Sequence, residues 1–364
     1  MPRFIRLALL AVLVLGAIGG APRAAANQPP LIEADQSAQV SFPGSVTFFL
    51  NAETTVPILQ AELRYATSGR AFSNAAVVTF EASTTVEASY TVDAQIDYIE
   101  PGVDITYSWI LTSDEGPYGQ TAESTITWVD ESFGWDRLDS ADVSVFAYDR
   151  DPEFDRFILD TAQQSVDTFK VLYDVAELEP VRIWVYANPA DFSQTLRQNS
   201  EVWIGGFSMP EAGIIAVPIE AGDDYSVERV VTHEVSHHVL HQATKNPFSY
   251  VPTWLDEGLA VSGQWAGNEN DLQIVLGALE EGSLPTLRTL TSSFPTDPAA
   301  ANRSYATSHM AVVFVIEQWG EDAIPQLVRV FREGVTADQA LESVLGVDTE
   351  GLDAAFREWL EQQR

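Results

Sequence analysis

Two histidines four residues apart, His233 and His237, with Glu234 directly after the first, constrain this chain more than any other feature. Both imidazoles can serve one purpose only if the segment is helical, because residues i and i+4 share a helix face. On that face they stand close enough to hold one zinc ion. Glu234 then falls beside the open coordination position, where water binds in metal-assisted hydrolysis. The stretch Trp254-Leu255-Asp256-Glu257-Gly258-Leu259-Ala260 offers Glu257 as a third ligand, twenty positions beyond His237. Of five histidines, four (His233, His237, His238 and His241) fall within nine residues, a concentration that points to metal. His238 and His241 lack a ligand spacing and read as surface residues or as partners of the ligands. The competing reading, a polar solvated helix face, leaves the downstream Glu-Gly segment unexplained.

Hydrolysis at such an ion needs three protein ligands and one position left for water. It also needs a carboxylate that takes a proton and later passes one to the leaving group. His233 and His237 therefore read as ligands of one catalytic Zn2+, with Glu257 on offer as the third, and Glu234 as the general base.

The remaining sequence says where such a site would work. Residues 1–26 read as a signal peptide, with basic Arg3 and Arg6, an apolar run from Leu7 to Ile18, and Ala24-Ala25-Ala26 as the cleavage pattern. That run is short for a membrane span, so cleavage is expected in preference to stable insertion. The absence of cysteine favours a bacterial exported protein over a eukaryotic one. Without residues 1–26 the chain carries 16 basic against 53 acidic residues, a charge of −37. Such a surface repels nucleic acid and anionic lipid and keeps an exported protein solvated. The expected partner is a peptide or protein substrate, and the expected state is monomeric.

Strand-like runs fill residues 27–132: Val46–Leu50, Ala61–Tyr65, Val77–Phe80, Ile105–Leu111 and Ser124–Val129, separated by Pro43-Gly44, Ser68-Gly69, Pro101-Gly102 and Glu115-Gly116-Pro117. They predict an antiparallel β-sandwich of immunoglobulin or fibronectin type III kind, serving as an accessory or spacer domain. The character changes near Phe133-Gly134-Trp135, and residues 133–364 predict one α+β domain. Its predicted elements are strands at Val143–Tyr148, Val181–Tyr186 and Gly213–Val217, a helix over Pro152–Val175, the histidine helix over Ser226–Gln242, and a helical remainder ending at Leu352–Leu360.

The motif pair resembles the gluzincin metallopeptidases, the superfamily of thermolysin and the zinc aminopeptidases, and within it the bacterial peptidase MA-like family. The resemblance covers about residues 133–364 and includes Trp203-Ile204-Gly205-Gly206-Phe207, Gly213-Ile214-Ile215-Ala216-Val217, Ser283-Leu284-Pro285, Phe294-Pro295 and Tyr305-Ala306-Thr307-Ser308. It implies a thermolysin-like catalytic core and a zinc metallopeptidase activity. In a Trp-Leu-x-Glu-Gly-Leu-Ala segment of that family the glutamate is the third ligand, which implies Glu257 in preference to the adjoining Asp256. Thermolysin carries an aspartate four residues after its ligand glutamate, bonded to a zinc histidine. Here that position is Val261, so a partner must come from elsewhere, with Asp256 a candidate. Relatives use a downstream tyrosine or histidine as oxyanion donor, which implies Tyr305, with His309 one helical turn later as the competitor.

The run Gly213–Val217 is either the sheet edge that pairs with substrate backbone or an ordinary core strand. The Gly-Ala-Met-Glu-Asn element by which aminopeptidases recognise a substrate amino terminus is missing, and Met209-Pro210-Glu211 is a poor substitute, which favours endopeptidase action. Two other functions fit the same residues: a cell-surface binding or sensory protein with a vestigial protease domain, and a zinc hydrolase of non-peptide substrates.

Overall fold

The computed structural model describes residues 29–196, 205–246 and 250–364. The signal-like segment 1–26 and the pair Trp203-Ile204 lie outside the described residues. Among the described residues no helix is long and apolar enough to cross a membrane.

The N-terminal part is a six-stranded sheet of β1 (Asp35–Ser41), β2 (Ser45–Thr67), β3 (Asn74–Asp93), β4 (Asp104–Ser113), β5 (Gly116–Gln120) and β6 (Ser124–Thr127). Two runs expected as separate strands, Val46–Leu50 and Ala61–Tyr65, are the two ends of β2. Between them lies Pro57, which lacks a backbone N–H, and the β2–β3 ladder is interrupted from Glu53 to Ile58. The first half of β2 pairs with β1 and the second half with β4, while β3 follows both. Val46, Phe48 and Leu50 from one half and Ala61 and Leu63 from the other join Trp109 and Leu111 in one buried cluster. The two halves of β2 thus link all six strands into one hydrogen-bonded set around a shared apolar cluster.

The second sheet runs in the order β10-β11-β9-β8-β7, with β7 (Asp136–Asp139), β8 (Val143–Ala147), β9 (Val181–Tyr186), β10 (Phe207–Met209) and β11 (Ile214–Pro218). Its three central strands β8, β9 and β11 are parallel. Parallel strands are covered on both faces and carry apolar residues on both. In β9, Val181, Ile183 and Val185 face a helical core, while Trp184 and Tyr186 enter the cluster formed by the first sheet.

Helices account for the rest: α1 (Pro152–Leu172), α2 (Pro189–Ser193), α3 (Asp224–Ser226), α4 (Thr232–Ala243), α5 (Thr253–Ser262), α6 (Asp271–Glu280), α7 (Pro298–Trp319), α8 (Ala323–Arg332), α9 (Ala337–Leu345) and α10 (Thr349–Gln362). A π-helical turn, Val227–Val231, joins α3 to α4. The start of α1 has Asp151 capping the Glu153 N–H and proline as its first residue, a preorganised beginning.

The β-rich part is more than a spacer, because one apolar cluster crosses the expected boundary at residue 132. Arg182 on β9 donates to both carboxylate oxygens of Asp104 on β4 at 2.9 Å, and the Tyr98 hydroxyl donates to Thr195 O at 2.8 Å. Gly102 has φ +87°, and a Cβ there would lie 2.2 Å from Trp184 Nε1. Gly102→Ala is therefore expected to destabilise the protein by about 3 kcal/mol or more in urea unfolding. Gly134→Ala, at φ +62° with nothing within 4 Å, should cost only about 1 kcal/mol. Equal effects would contradict the shared core.

Candidate metal centre

Three helices build the site. The histidine helix α4 is held against α1 where Tyr173 Oη and Ser236 Oγ hydrogen-bond at 2.7 Å, both buried. Ser236 lies between the two motif histidines in sequence, on the flank of the helix beside them. Helix α5 lies directly on α7 because Gly258 has no side chain: a Cβ would sit 2.4 Å from Ser308 O. The Glu-Gly pair therefore has two duties. Glu257 turns toward α4, and Gly258 lets α7, which carries Tyr305, approach.

His233 Nε2, His237 Nε2 and Glu257 Oε2 form a near-equilateral triangle. The nitrogens are 3.1 Å apart, and Glu257 Oε2 is 3.3 Å from one and 3.4 Å from the other. A tetrahedral ion with bonds of about 2.0–2.1 Å needs its ligand atoms about 3.3–3.4 Å apart. Glu257 Oε2 is also buried without a hydrogen bond of good geometry, an orphaned acceptor that a cation would satisfy. Burial alone would raise the Glu257 pKa, but the charges on His237 and His233 outweigh it and hold the group down to about 2.

Asp256, considered above as a ligand or a partner, is a partner. Its Oδ1 lies 2.6 Å from His237 Nδ1 and its Oδ2 2.7 Å from His241 Nε2. Burial disfavours the charged carboxylate, yet the two imidazoles hold it well below the usual range. His237 shows the reciprocal effect: burial would lower its pKa, but Asp256 and Glu257 push it well above the ordinary value. An anchored Nδ1–H leaves Nε2 free for a metal and fixes the ring. On the other histidine, the Gln264 side-chain amide lies 2.8 Å from His233 Nδ1. Sequence reasoning missed Gln264. It stands just past the end of α5, three residues after Val261, so His233 gains this partner from the loop that follows the helix.

Glu234 is buried beside the triangle and does not join it. Burial raises its pKa, opposed in part by His233 and His237. An ideal Cβ on Gly206 would be 3.2 Å from Glu234 Oε1, so Gly205-Gly206 brings backbone close to this carboxylate. A cleft of about 440 Å³ opens here, lined by His233, Glu234, Gly206, Gln264 and Tyr305 among others. The Tyr305 ring centre is 6.3 Å from that of His233, and Phe294 braces it edge-on at 5.0 Å. His309 is not brought to the cleft lining: its Nδ1 lies 2.8 Å from Asp271 Oδ2. His238 is neither a surface residue nor a partner of the ligands. It is fully buried, its Nε2 lies 2.8 Å from Gln242 Nε2, and burial pushes its pKa down to about 4.

The strand takes the second of its two readings. β11 lies between β9 and β10, so Gly213–Val217 is not an edge. Among the described residues the edge is β10, which follows directly from Gly205-Gly206.

A family model described as the Peptidase MA superfamily matches residues 161–362, more than half of the chain. The chain belongs to the Peptidase MA superfamily. That superfamily is typically metal-dependent, and its peptidases take peptide or protein substrates. The match runs from within α1 to the end of α10 and includes all six residues read as ligands, base or oxyanion donors. No curated protein matches this superfamily member. Among solved structures, a myokine structure is similar with a TM-score of 0.23 at 7% identity, over 28% of this chain and 99% of that one. A polysaccharide deacetylase from Bacillus cereus is similar with a TM-score of 0.23 at 7% identity, over 47% of this chain and 57% of that one.

Asp256 holds two imidazoles, whereas His241 hydrogen-bonds Asp256 and meets the His237 ring only at 6.3 Å between centres. Asp256→Ala is expected to weaken metal binding by about 10- to 100-fold, measured by competition with a chelator dye. His241→Ala should fall well short of that loss, and equal losses would contradict this arrangement.

Proposed function

We propose that this chain is a zinc-dependent peptidase, exported by a bacterium and cleaving within peptide chains. The observation that carries the reading is the triangle of His233, His237 and Glu257, with a buried carboxylate beside it and a cleft in front. Two imidazoles and one carboxylate at tetrahedral spacing suit zinc, and a fourth position is left facing the cleft. Zinc, when bound there, acidifies water and polarises a carbonyl.

Glu234 is the general base. Its burial raises its proton affinity toward the range in which a carboxylate both accepts a proton from water and returns one to the leaving nitrogen. Tyr305 is the oxyanion donor preferred over His309, since it lines the cleft while His309 pairs with Asp271. An extended substrate would lie along β10, adding a strand at the open edge, with the glycines before it keeping side chains out of the way. Internal cleavage follows from the missing amino-terminus recognition element. Export follows from Arg3, Arg6 and the apolar run Leu7–Ile18.

Glu234→Gln should retain one zinc per chain by metal analysis while kcat on a casein-derived peptide falls by about 1,000-fold or more. Tyr305→Phe should lower kcat by roughly 10- to 1,000-fold. Peptides blocked at both ends should still be cut. Stoichiometric zinc with no cleavage across a broad peptide library would overturn the peptidase reading.

A further inference from the structure

Arg229 stands out in a strongly acidic chain whose cations are mostly paired. Arg70 meets Glu100, Arg182 meets Asp104, and Arg288 meets Asp338 and Glu350. Arg229 makes no ion pair among the described residues, is solvent-exposed, and is the only lysine or arginine among the described residues lining the cleft that opens on the metal triangle. Arg150, Arg156, Arg303 and Arg332 also lack ion pairs but line no part of that cleft.

Its position is built. Arg229 lies in the π-helical turn Val227–Val231, four residues before His233. A widened turn leaves carbonyls without their usual partners, and Thr232 Oγ1 donates to Glu228 O at 2.7 Å and to Arg229 O at 3.2 Å. The loop after α5 is tied to the same turn, with the Trp265 N–H donating to Glu228 O at 3.1 Å. Gly267 on that loop has φ +91°, and a Cβ there would lie 2.9 Å from Arg229 Cδ and 2.7 Å from Tyr225 Oη. Glycine leaves a trough in which the aliphatic stem of Arg229 lies, with Tyr225 beside it. The guanidinium is thereby offered to the cleft one helical turn from His233. Of the two acids in the lining, Asp271 is engaged by His309 Nδ1 at 2.8 Å, and Glu234 is the buried carboxylate beside the metal triangle.

We infer that Arg229 is a specificity residue that binds a carboxylate of the substrate, so the cleft takes peptides bearing an acidic group next to the cleaved bond. The inference rests on the peptidase reading and names its substrate class. A guanidinium presents paired N–H donors that match a carboxylate, and in a partly enclosed cleft this charge-assisted contact is strong. The carboxylate belongs either to an aspartate or glutamate side chain or to a free carboxyl terminus. Both have the same chemistry.

The test uses the full zinc-loaded protein and an alanine-based peptide series. Each peptide carries Asp, Glu, Ala or Lys in turn around the cleaved bond, with the carboxyl terminus free or amidated. In the native protein kcat/KM should favour one acidic placement over alanine. Arg229→Ala should reduce that acidic-to-neutral ratio by roughly 10- to 100-fold, mainly through KM. Arg229→Lys should restore part of it, and Arg229→Glu should turn the preference toward lysine. Loss of the preference on amidation alone assigns it to a terminal carboxylate; persistence assigns it to a side chain. A second measurement titrates the same peptides onto Glu234→Gln protein, with and without Arg229→Ala, by fluorescence anisotropy. If no peptide is cleaved but acidic peptides still bind in an Arg229-dependent way, the peptidase reading fails and the carboxylate site stands. The same acidic-to-neutral ratio in native and Arg229→Ala proteins, in cleavage and in binding, overturns the inference.

Discussion

Three lone-pair-bearing atoms held 3.1–3.4 Å apart in a partly buried place repel one another unless protons or a cation lie among them. Much of the molecule's second half serves to impose that arrangement. Asp256 stiffens one imidazole and Gln264 borders the other. Gly258 presses α5 onto α7, and Tyr173 pins α4 to α1. Interiors are close-packed, so α4 and α5, braced by α1 and α7, fix the spacing of the triangle. Preorganisation of this kind lowers the cost of binding a metal and excludes ions that prefer six oxygen ligands.

The helices in turn stand on a sheet that is apolar on both faces. Strand β9 sends Val181, Ile183 and Val185 to the helices and Trp184 and Tyr186 to the β-rich part. Removing that part would expose a large aromatic surface on the back of the parallel sheet. The N-terminal sheet is thus one cover of the site's foundation, whatever else it binds.

Legibility in the sequence followed the range of the interaction. The spacing of His233 and His237 is local, and a helix converts it into geometry without help from the rest of the fold. Glu257 came from a motif. Asp256 could be suspected but not assigned, because its two histidine contacts depend on how α5 crosses α4. Gln264 was not legible, because it lies past the end of α5 and its approach to His233 depends on the path of the loop that follows. The run Ile214–Val217 carries no polar alternation, which marks a central strand and not an edge. The true edge, β10, is only three residues long and bears no pattern. The two ends of β2 read as separate runs because the stretch between them, where Pro57 falls in an interruption of the β2–β3 ladder, carries no strand signature of its own.

The central claim is that His233, His237 and Glu257 hold one zinc ion with a position left open. Zinc K-edge X-ray absorption on the purified, zinc-loaded protein measures this directly. The expected result is a four-coordinate shell of nitrogen and oxygen at about 2.0–2.1 Å, with outer-shell scattering from two imidazoles that drops to one in His237→Ala. An oxygen-dominated six-coordinate shell, or a spectrum that His237→Ala leaves unchanged, would contradict it.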